Sequence, residues 1–82
     1  MELYVGNLSS EITAEALRAL FGRFGKVDSA AVIRDRRTGQ SKGLAIVVMP
    51  TPSEAEQAVA NLDGKQLKGQ EVVVSKTPLH SR

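Results

Sequence analysis

The sequence contains no cysteine and no tryptophan, and only three of its 82 residues are aromatic. Without cysteine the chain cannot form disulfides, cysteine-ligated zinc sites or iron–sulfur clusters, and it has no thiol nucleophile. Long hydrophobic runs are also missing, since no apolar stretch approaches the roughly 18 residues that a membrane helix needs. The first residues lack the charged and apolar regions of a signal peptide. We therefore expect a single soluble cytoplasmic domain that does not associate with membranes.

Neither sign of charge dominates the composition. Eleven Lys and Arg face nine Asp and Glu, which gives a net charge of +2, and this total neither requires nor excludes a polyanionic partner. The distribution is more informative, because Arg34, Arg36, Arg37 and Lys42 lie in one short stretch that contains a single acid, Asp35. This stretch is either a loop that faces phosphates or the solvated tip of a hairpin.

The sequence offers little that could support catalysis. The single histidine, His80, lies close to the C-terminus and has no carboxylate cluster near it in the sequence. Glu54 and Glu56 lie where a helix is predicted to start, and there the helix dipole is a sufficient explanation for acidic residues. No GxxxxGK[ST] phosphate-binding loop is present. We therefore expect no enzymatic activity, no metal, no cofactor and no small-molecule substrate.

Hydrophobic patterning predicts the order strand, helix, strand, strand, helix, strand. Thr51, Pro52 and Glu54 form the pattern of a capping box at the start of the second helix, and Asp63-Gly64 marks its end. The predicted strands cover residues 3–8, 27–33, 44–49 and 72–74, and the first helix covers the apolar positions from 12 to 24, with glycines at 22 and 25 closing it.

This order predicts an α+β, ferredoxin-like βαββαβ sandwich, in which both helices cover one face of a four-stranded antiparallel sheet. The other face stays open, because two helices cover only one side. Alternation places Ala30 and Val32 towards the helices, and Leu44 and Ile46 on the open face. A slip of one residue would exchange the faces, but the small Ala45 suits the space beneath the helices better.

Two segments resemble the signature motifs of the RNA recognition motif family. LYVGNL, at residues 3–8, is similar to the hexamer of that family, and KGLAIVVM, at residues 42–49, is similar to its octamer. Residues 21–27 and 35–43 also resemble its helix end and its hairpin. The resemblance runs from Leu3 to about residue 76, and it is closest in character to the small single-domain bacterial members.

The resemblance implies that the sheet stacks unpaired bases on aromatic side chains while basic residues hold phosphates. By position, Tyr4 is the stacking aromatic of the hexamer and Lys42 is the phosphate-contacting cation of the octamer. The two stacking positions of the octamer are Leu44 and Ile46, which are aliphatic here where the family normally has aromatics. The candidate RNA-binding residues are Tyr4, Asn7, Ser29, Ile33, Arg34, Arg36, Arg37, Lys42, Leu44, Ile46, Ser75 and Lys76.

We therefore expect a ribonucleoprotein-type domain at residues 1–76, followed by a short tail at 77–82, that binds single-stranded RNA with modest sequence preference. Asn7 has a second interpretation, as a residue that satisfies backbone groups after Gly6. The alternative function is a homodimer or protein-interaction module that uses the same face. Monomers rarely leave a large apolar patch exposed to water. The face is therefore expected to be covered by a second copy, by another protein, or by the tail residues Pro78 to His80.

Overall fold

The computed structural model describes residues 1–39 and 41–77. It contains the predicted order of elements and one additional small hairpin before the last strand. The elements are β1 (Glu2–Gly6), α1 (Ala14–Phe21), β2 (Ser29–Arg34), β3 (Ser41–Val48), α2 (Pro52–Leu62), β4 (Gln66–Leu67), β5 (Gln70–Glu71) and β6 (Val73–Ser75). The hypothesis that the tail covers the sheet concerns Pro78 to His80, which lie outside the described residues, and the boundary at residue 76 stays a prediction.

The main sheet has the strand order β2-β3-β1-β6, and each neighbouring pair is antiparallel. Both helices pack on one of its faces, because their buried residues share one core with the buried strand residues. The predicted ferredoxin-like sandwich is therefore confirmed. No helix in the described parts of the chain is long and apolar enough to cross a membrane.

The core confirms the predicted division of the sheet into two faces. Leu3 and Val47 are fully buried beneath the helices, and Ala45 is 2% exposed. Ala30 and Val32 are partly buried against the same core. Leu44 and Ile46 alternate with these positions and are only partly buried, so the strands hold the predicted register.

Helix α1 begins after Thr13, whose Oγ1 accepts the backbone N–H of Ala16 at 3.1 Å. Leu17 and Phe21 turn into the core. The helix ends at Phe21 rather than continuing to residue 24, because the chain tightens there: the N–H of Phe24 donates to the carbonyl of Phe21 at 3.0 Å. Phe24 still packs against the core from this turn.

Helix α2 begins as predicted, with Thr51 at the N-cap, Pro52 as its first residue and Glu54 in the first turn, but the hydrogen bonds of a capping box are missing. The Thr51 side chain makes no capping hydrogen bond, and Oε1 of Glu54 instead accepts the backbone N–H of Lys26 at 3.1 Å. Gly25 makes this approach feasible, because a Cβ at that position would lie 2.6 Å from the Cβ of Glu54. Glu54 thus bonds to the backbone of a residue 28 positions away instead of to the N-cap. This bond links α2 to the connection between α1 and β2.

The strand boundaries differ from the predicted ones at several ends. Strand β2 begins at Ser29 instead of residue 27, and β6 covers Val73–Ser75, one residue later than predicted. Strands β4 and β5 form a separate two-stranded hairpin, where the sequence indicated only a polar connection. Strands of two residues are too short to show an alternating pattern, so periodicity could not reveal them.

Asp63 connects the end of α2 to the edge strand β6. Its backbone N–H donates to the carbonyl of Val59 at 3.0 Å, which closes the helix. Its Oδ1 accepts the backbone N–H of Val74 at 2.9 Å. Val74 is 3% exposed, so this carboxylate satisfies a main-chain donor of a buried residue on the edge strand.

Replacing Asp63 by Ala should lower the free energy of unfolding by about 1–3 kcal/mol, because the N–H of Val74 loses its acceptor. Asp63→Asn keeps an acceptor oxygen and should recover most of that loss. Urea titration followed by far-ultraviolet circular dichroism measures both variants. Equal stability of Asp63→Ala and the unaltered protein would show that the bond contributes nothing.

Candidate nucleic-acid interface

The open face of the sheet presents side chains in rows that run across the strands. In one row Ser29 pairs with Val48, and Val48 pairs with Glu2. In the next row Ala31 pairs with Ile46, Ile46 with Tyr4, and Tyr4 with Ser75. In the third row Ile33 pairs with Leu44, and Val73 lies opposite Gly6. The predicted face residues Tyr4, Ser29, Ile33, Leu44, Ile46 and Ser75 are thus brought together.

Tyr4 is the aromatic residue of this face and is partly exposed. Its hydroxyl donates a hydrogen bond of 2.7 Å to Oε1 of Glu2, two residues earlier on the same strand. This bond raises the pKa of Tyr4 above its ordinary value, with smaller contributions from desolvation and from the charge of the carboxylate. The phenol is therefore held in one direction and stays protonated at neutral pH.

Aliphatic side chains surround Tyr4. Ile33 is 37% exposed and Val73 is 43% exposed, while Leu44 and Ile46 are partly buried by their neighbours. The platform defined by Tyr4, Ile33, Leu44, Ile46 and Val73 is thus one aromatic ring among four aliphatic side chains. Such a surface can lie against flat apolar groups, but it offers a single ring for stacking.

A β-bulge lies where the basic end of the open face begins. Ile33 pairs with Leu44, but Arg34 pairs with Ser41, so Lys42 and Gly43 are extra residues on β3. Gly43 has a φ of +76°, in the left-handed region that favours glycine. The bulge explains why β3 extends to Ser41, where the hydrophobic pattern began only at residue 44.

The loop after β2 is organised by Asp35. Its Oδ1 accepts the backbone N–H groups of Arg37 at 2.7 Å and Thr38 at 3.3 Å. These two bonds, with a smaller contribution from the charge of Lys42, lower the pKa of Asp35 below its ordinary value. The carboxylate of Asp35 is therefore hydrogen-bonded to the backbone of the loop in which it lies.

Four cations project from this segment, which we call the basic loop: Arg34, Arg36, Arg37 and Lys42. All four are exposed. Arg34 donates from Nη1 to the carbonyl of Gly39 at 3.4 Å, which is a long bond. Across residues 1–39 and 41–77, none of the four forms an ion pair with a carboxylate, so their charges face solvent and can meet phosphates.

Asn7 has a structural role at the end of β1. Its φ is +58°, a left-handed conformation that asparagine tolerates better than most residues. Its Nδ2 donates to the carbonyl of Glu71 at 2.7 Å, and its own carbonyl accepts Nε2 of Gln70 at 3.1 Å. These bonds favour the interpretation of Asn7 as a residue that satisfies the backbone, because its amide is engaged within the fold.

Lys76 points towards helix α2 instead of the platform. Its Nζ lies 3.7 Å from Oε2 of Glu56, and both side chains are about half exposed. An exposed pair of this kind adds little stability, so phosphate could displace the carboxylate at small cost. Beside it, Oγ of Ser75 accepts the backbone N–H of Thr77 at 3.1 Å.

Glu2 is the charged residue of the face that the candidate set lacks; the set also lacks Val73, a member of the platform. A signal for Glu2 existed, since residues two apart on a strand share a face and Glu2 precedes Tyr4 by two. Its contact with the phenol could not be read from the sequence. In the described ranges no three His, Asp or Glu residues are grouped so that they could hold a metal ion.

Comparison with known proteins gives matches over nearly the whole chain. The sequence profile of the RNA recognition motif matches residues 3–73. A 28 kDa chloroplastic ribonucleoprotein of Spinacia oleracea is 45% identical over 73 residues, which are 89% of this chain and 31% of that protein. The protein RbpA of Nostoc sp. is 40% identical over 76 residues, which are 93% of this chain and 74% of RbpA. The chain thus spans about a third of the length of the spinach relative.

Solved structures share the complete fold. The crystal structure of the RNA-binding protein PG1 superimposes with a TM-score of 0.91 at 34% identity, over 100% of this chain and 99% of PG1. The structure of the Sxl-lethal protein/RNA complex superimposes with a TM-score of 0.88 at 28% identity, over 98% of this chain and 48% of that chain. Fold, motifs and sequence agree, and the chain belongs to the RNA recognition motif family.

Proposed function

We propose that this domain binds single-stranded RNA on the open face of its sheet and has no catalytic role. The observation that carries the proposal is the position of Tyr4, which is partly exposed at the centre of the platform, one strand away from Ile46 and Ser75. An unpaired base can lie on this ring, whereas a base within a duplex cannot reach it.

The hydrogen bond from Tyr4 to Glu2 supports stacking. A phenol held at 2.7 Å from a carboxylate has fewer orientations to lose when a base arrives, so less binding energy is spent on ordering the side chain. Neighbouring bases would then rest on the aliphatic side chains of Leu44 and Ile46. The platform accepts any base, since every base has an apolar face.

The aliphatic side chains set the expected strength of binding. A base–aromatic stack contributes roughly 1–3 kcal/mol, so two aliphatic residues in place of aromatics remove on the order of 2–6 kcal/mol before their own contacts are counted. Leu and Ile still bury apolar surface against a base, which favours the lower end of that range. We therefore propose modest affinity and modest sequence preference.

The basic loop supplies the electrostatic part of the proposal. Arg34, Arg36, Arg37 and Lys42 are exposed and carry no carboxylate partner in the described ranges. When such cations contact phosphates they release condensed counterions, so binding weakens as salt is added. Names of relatives agree with this function, because the spinach relative is a ribonucleoprotein and one structural neighbour was solved with RNA.

A second candidate function, homodimerisation, is favoured by one specific observation. Ile33 and Val73 are large apolar side chains that remain 37% and 43% exposed on the open face. A second copy of the chain that packs face to face would cover both residues, along with Leu44 and Ile46. RNA and a second copy would then compete for the same surface.

Replacing Tyr4 by Ala should weaken RNA binding by about 5- to 150-fold, because one base–aromatic stack is lost. The measurement is fluorescence anisotropy of a labelled random-sequence single-stranded RNA at two salt concentrations. Tyr4→Phe is the matched control: it keeps the ring and should retain most of the affinity.

The RNA proposal fails if no binding is detected at low salt, or if Tyr4→Ala binds as tightly as the unaltered protein. It also fails if binding is unaffected by salt, because phosphate contacts by the basic loop require salt dependence.

Homodimerisation predicts that the sedimentation coefficient rises with protein concentration. Ile46→Asp should abolish that rise, because a charge in the middle of the platform would be buried without a partner. The matched control is Ala19→Asp, which adds the same charge at an exposed position on α1. A monomer at every concentration contradicts the dimer.

A further inference from the structure

Glu2 is the only acidic residue in the four strands of the main sheet. It is exposed, it pairs with Val48 across the ladder, and it lies one row from Tyr4 on the open face. In the described part of the chain no cation forms an ion pair with it. A carboxylate repels phosphates. On a surface that binds RNA, Glu2 therefore needs a contact with some group other than a phosphate.

The open face is electrically polarised along its strands. Glu2 shares the first row with Ser29, whereas the basic loop begins at Arg34, at the opposite end of β2. Tyr4 lies between the two ends. A nucleotide on the platform would be drawn with its phosphate towards the basic loop and its base towards Glu2, because both charges favour that orientation.

An ionised carboxylate only accepts hydrogen bonds. In Glu2 the Tyr4 hydroxyl occupies one lone pair of Oε1, which leaves Oε2 available to a further donor. Cytosine, adenine and guanine each present an amino group on the edge used for base pairing. Uracil presents a single N–H between two carbonyl oxygens, and a carboxylate repels those oxygens.

We propose that Glu2 is a specificity-determining residue, which makes the face prefer bases with an amino group on the pairing edge over uracil. The proposal rests on the proposed function, since it concerns RNA on the same platform. Carboxylates already read the amino group of cytosine in other nucleic-acid complexes by this chemistry.

The test compares two RNA oligomers of equal length, oligocytidylate and oligouridylate, at neutral pH. The two bases have similar size and stacking surface, so they differ mainly in the edge that faces Glu2. The unaltered protein should bind oligocytidylate about tenfold more tightly, as expected for a hydrogen bond to a charged group. Anisotropy of labelled oligomers measures both affinities.

Glu2→Gln should reduce that ratio to about one, because its amide both donates and accepts and so pairs with either base. Binding of oligocytidylate should weaken, while binding of oligouridylate should strengthen as the repulsive charge is removed. A general structural defect would weaken both. Glu15→Gln is the matched control, since it removes the same charge from helix α1 and should leave the ratio unchanged.

Titration of the phenol provides a second measurement. Tyr4 is the only tyrosine and the chain has no tryptophan, so tyrosinate absorbance reports on this residue alone. Its pKa should lie above 10.0 and should fall towards that value in Glu2→Gln, because the carboxylate no longer favours the protonated phenol.

The outcomes separate the two proposals. If neither oligomer binds, the proposed function itself is wrong. If both bind equally well, or if Glu2→Gln leaves the ratio unchanged, RNA binding stands and the role of Glu2 is overturned. If the ratio falls to about one but the pKa of Tyr4 does not move, Glu2 reads the base without orienting the phenol, and base selection by Glu2 is supported.

Discussion

Side chains alternate between the two faces of the sheet, and the helices cover only one of those faces. This constraint places Leu3 and Val47 in the core and Tyr4 and Ile46 on the open face, although the four residues lie on the same two strands. The apolar residues of the open face are therefore not a second core. They are surface that the described elements of the fold leave uncovered, and the proposed RNA binding uses that surface.

The sequence was sufficient to predict the element order, the two faces and the platform, because each depends on local periodicity or on short motifs. The position of Tyr4 on the open face and the clustering of the basic loop were predicted in this way. The role of Glu54 could not be predicted, since its partner is the Lys26 backbone, 28 residues away. Asn7, Lys76 and Glu2 show the same limit: the sequence indicates that they are polar, but only the fold shows which atoms engage them.

The candidate residues differ in how far their polar groups are engaged by other elements of the fold. The side chain of Asn7 bonds to the β4–β5 hairpin, and Lys76 lies beside Glu56. Both side chains therefore make contacts within the unbound protein. The ring of Tyr4 is partly exposed and the cations of the basic loop have no carboxylate partner in the described ranges, while Asp35 is bonded to the backbone of its own loop. The recognition proposed for this face thus combines one oriented ring, aliphatic neighbours and positive charges without a carboxylate partner in the described ranges.

Strand β1 occupies an interior position in the sheet, between β3 and β6. Strand β1 is synthesised before both of its neighbours and acquires the second of them only when residues 73–75 have been made. Until then one edge of β1 is open, and open edges invite pairing with other chains. Closure of the main sheet therefore waits for β6, so a chain interrupted before Val73 leaves the hexamer segment of β1 on an exposed edge.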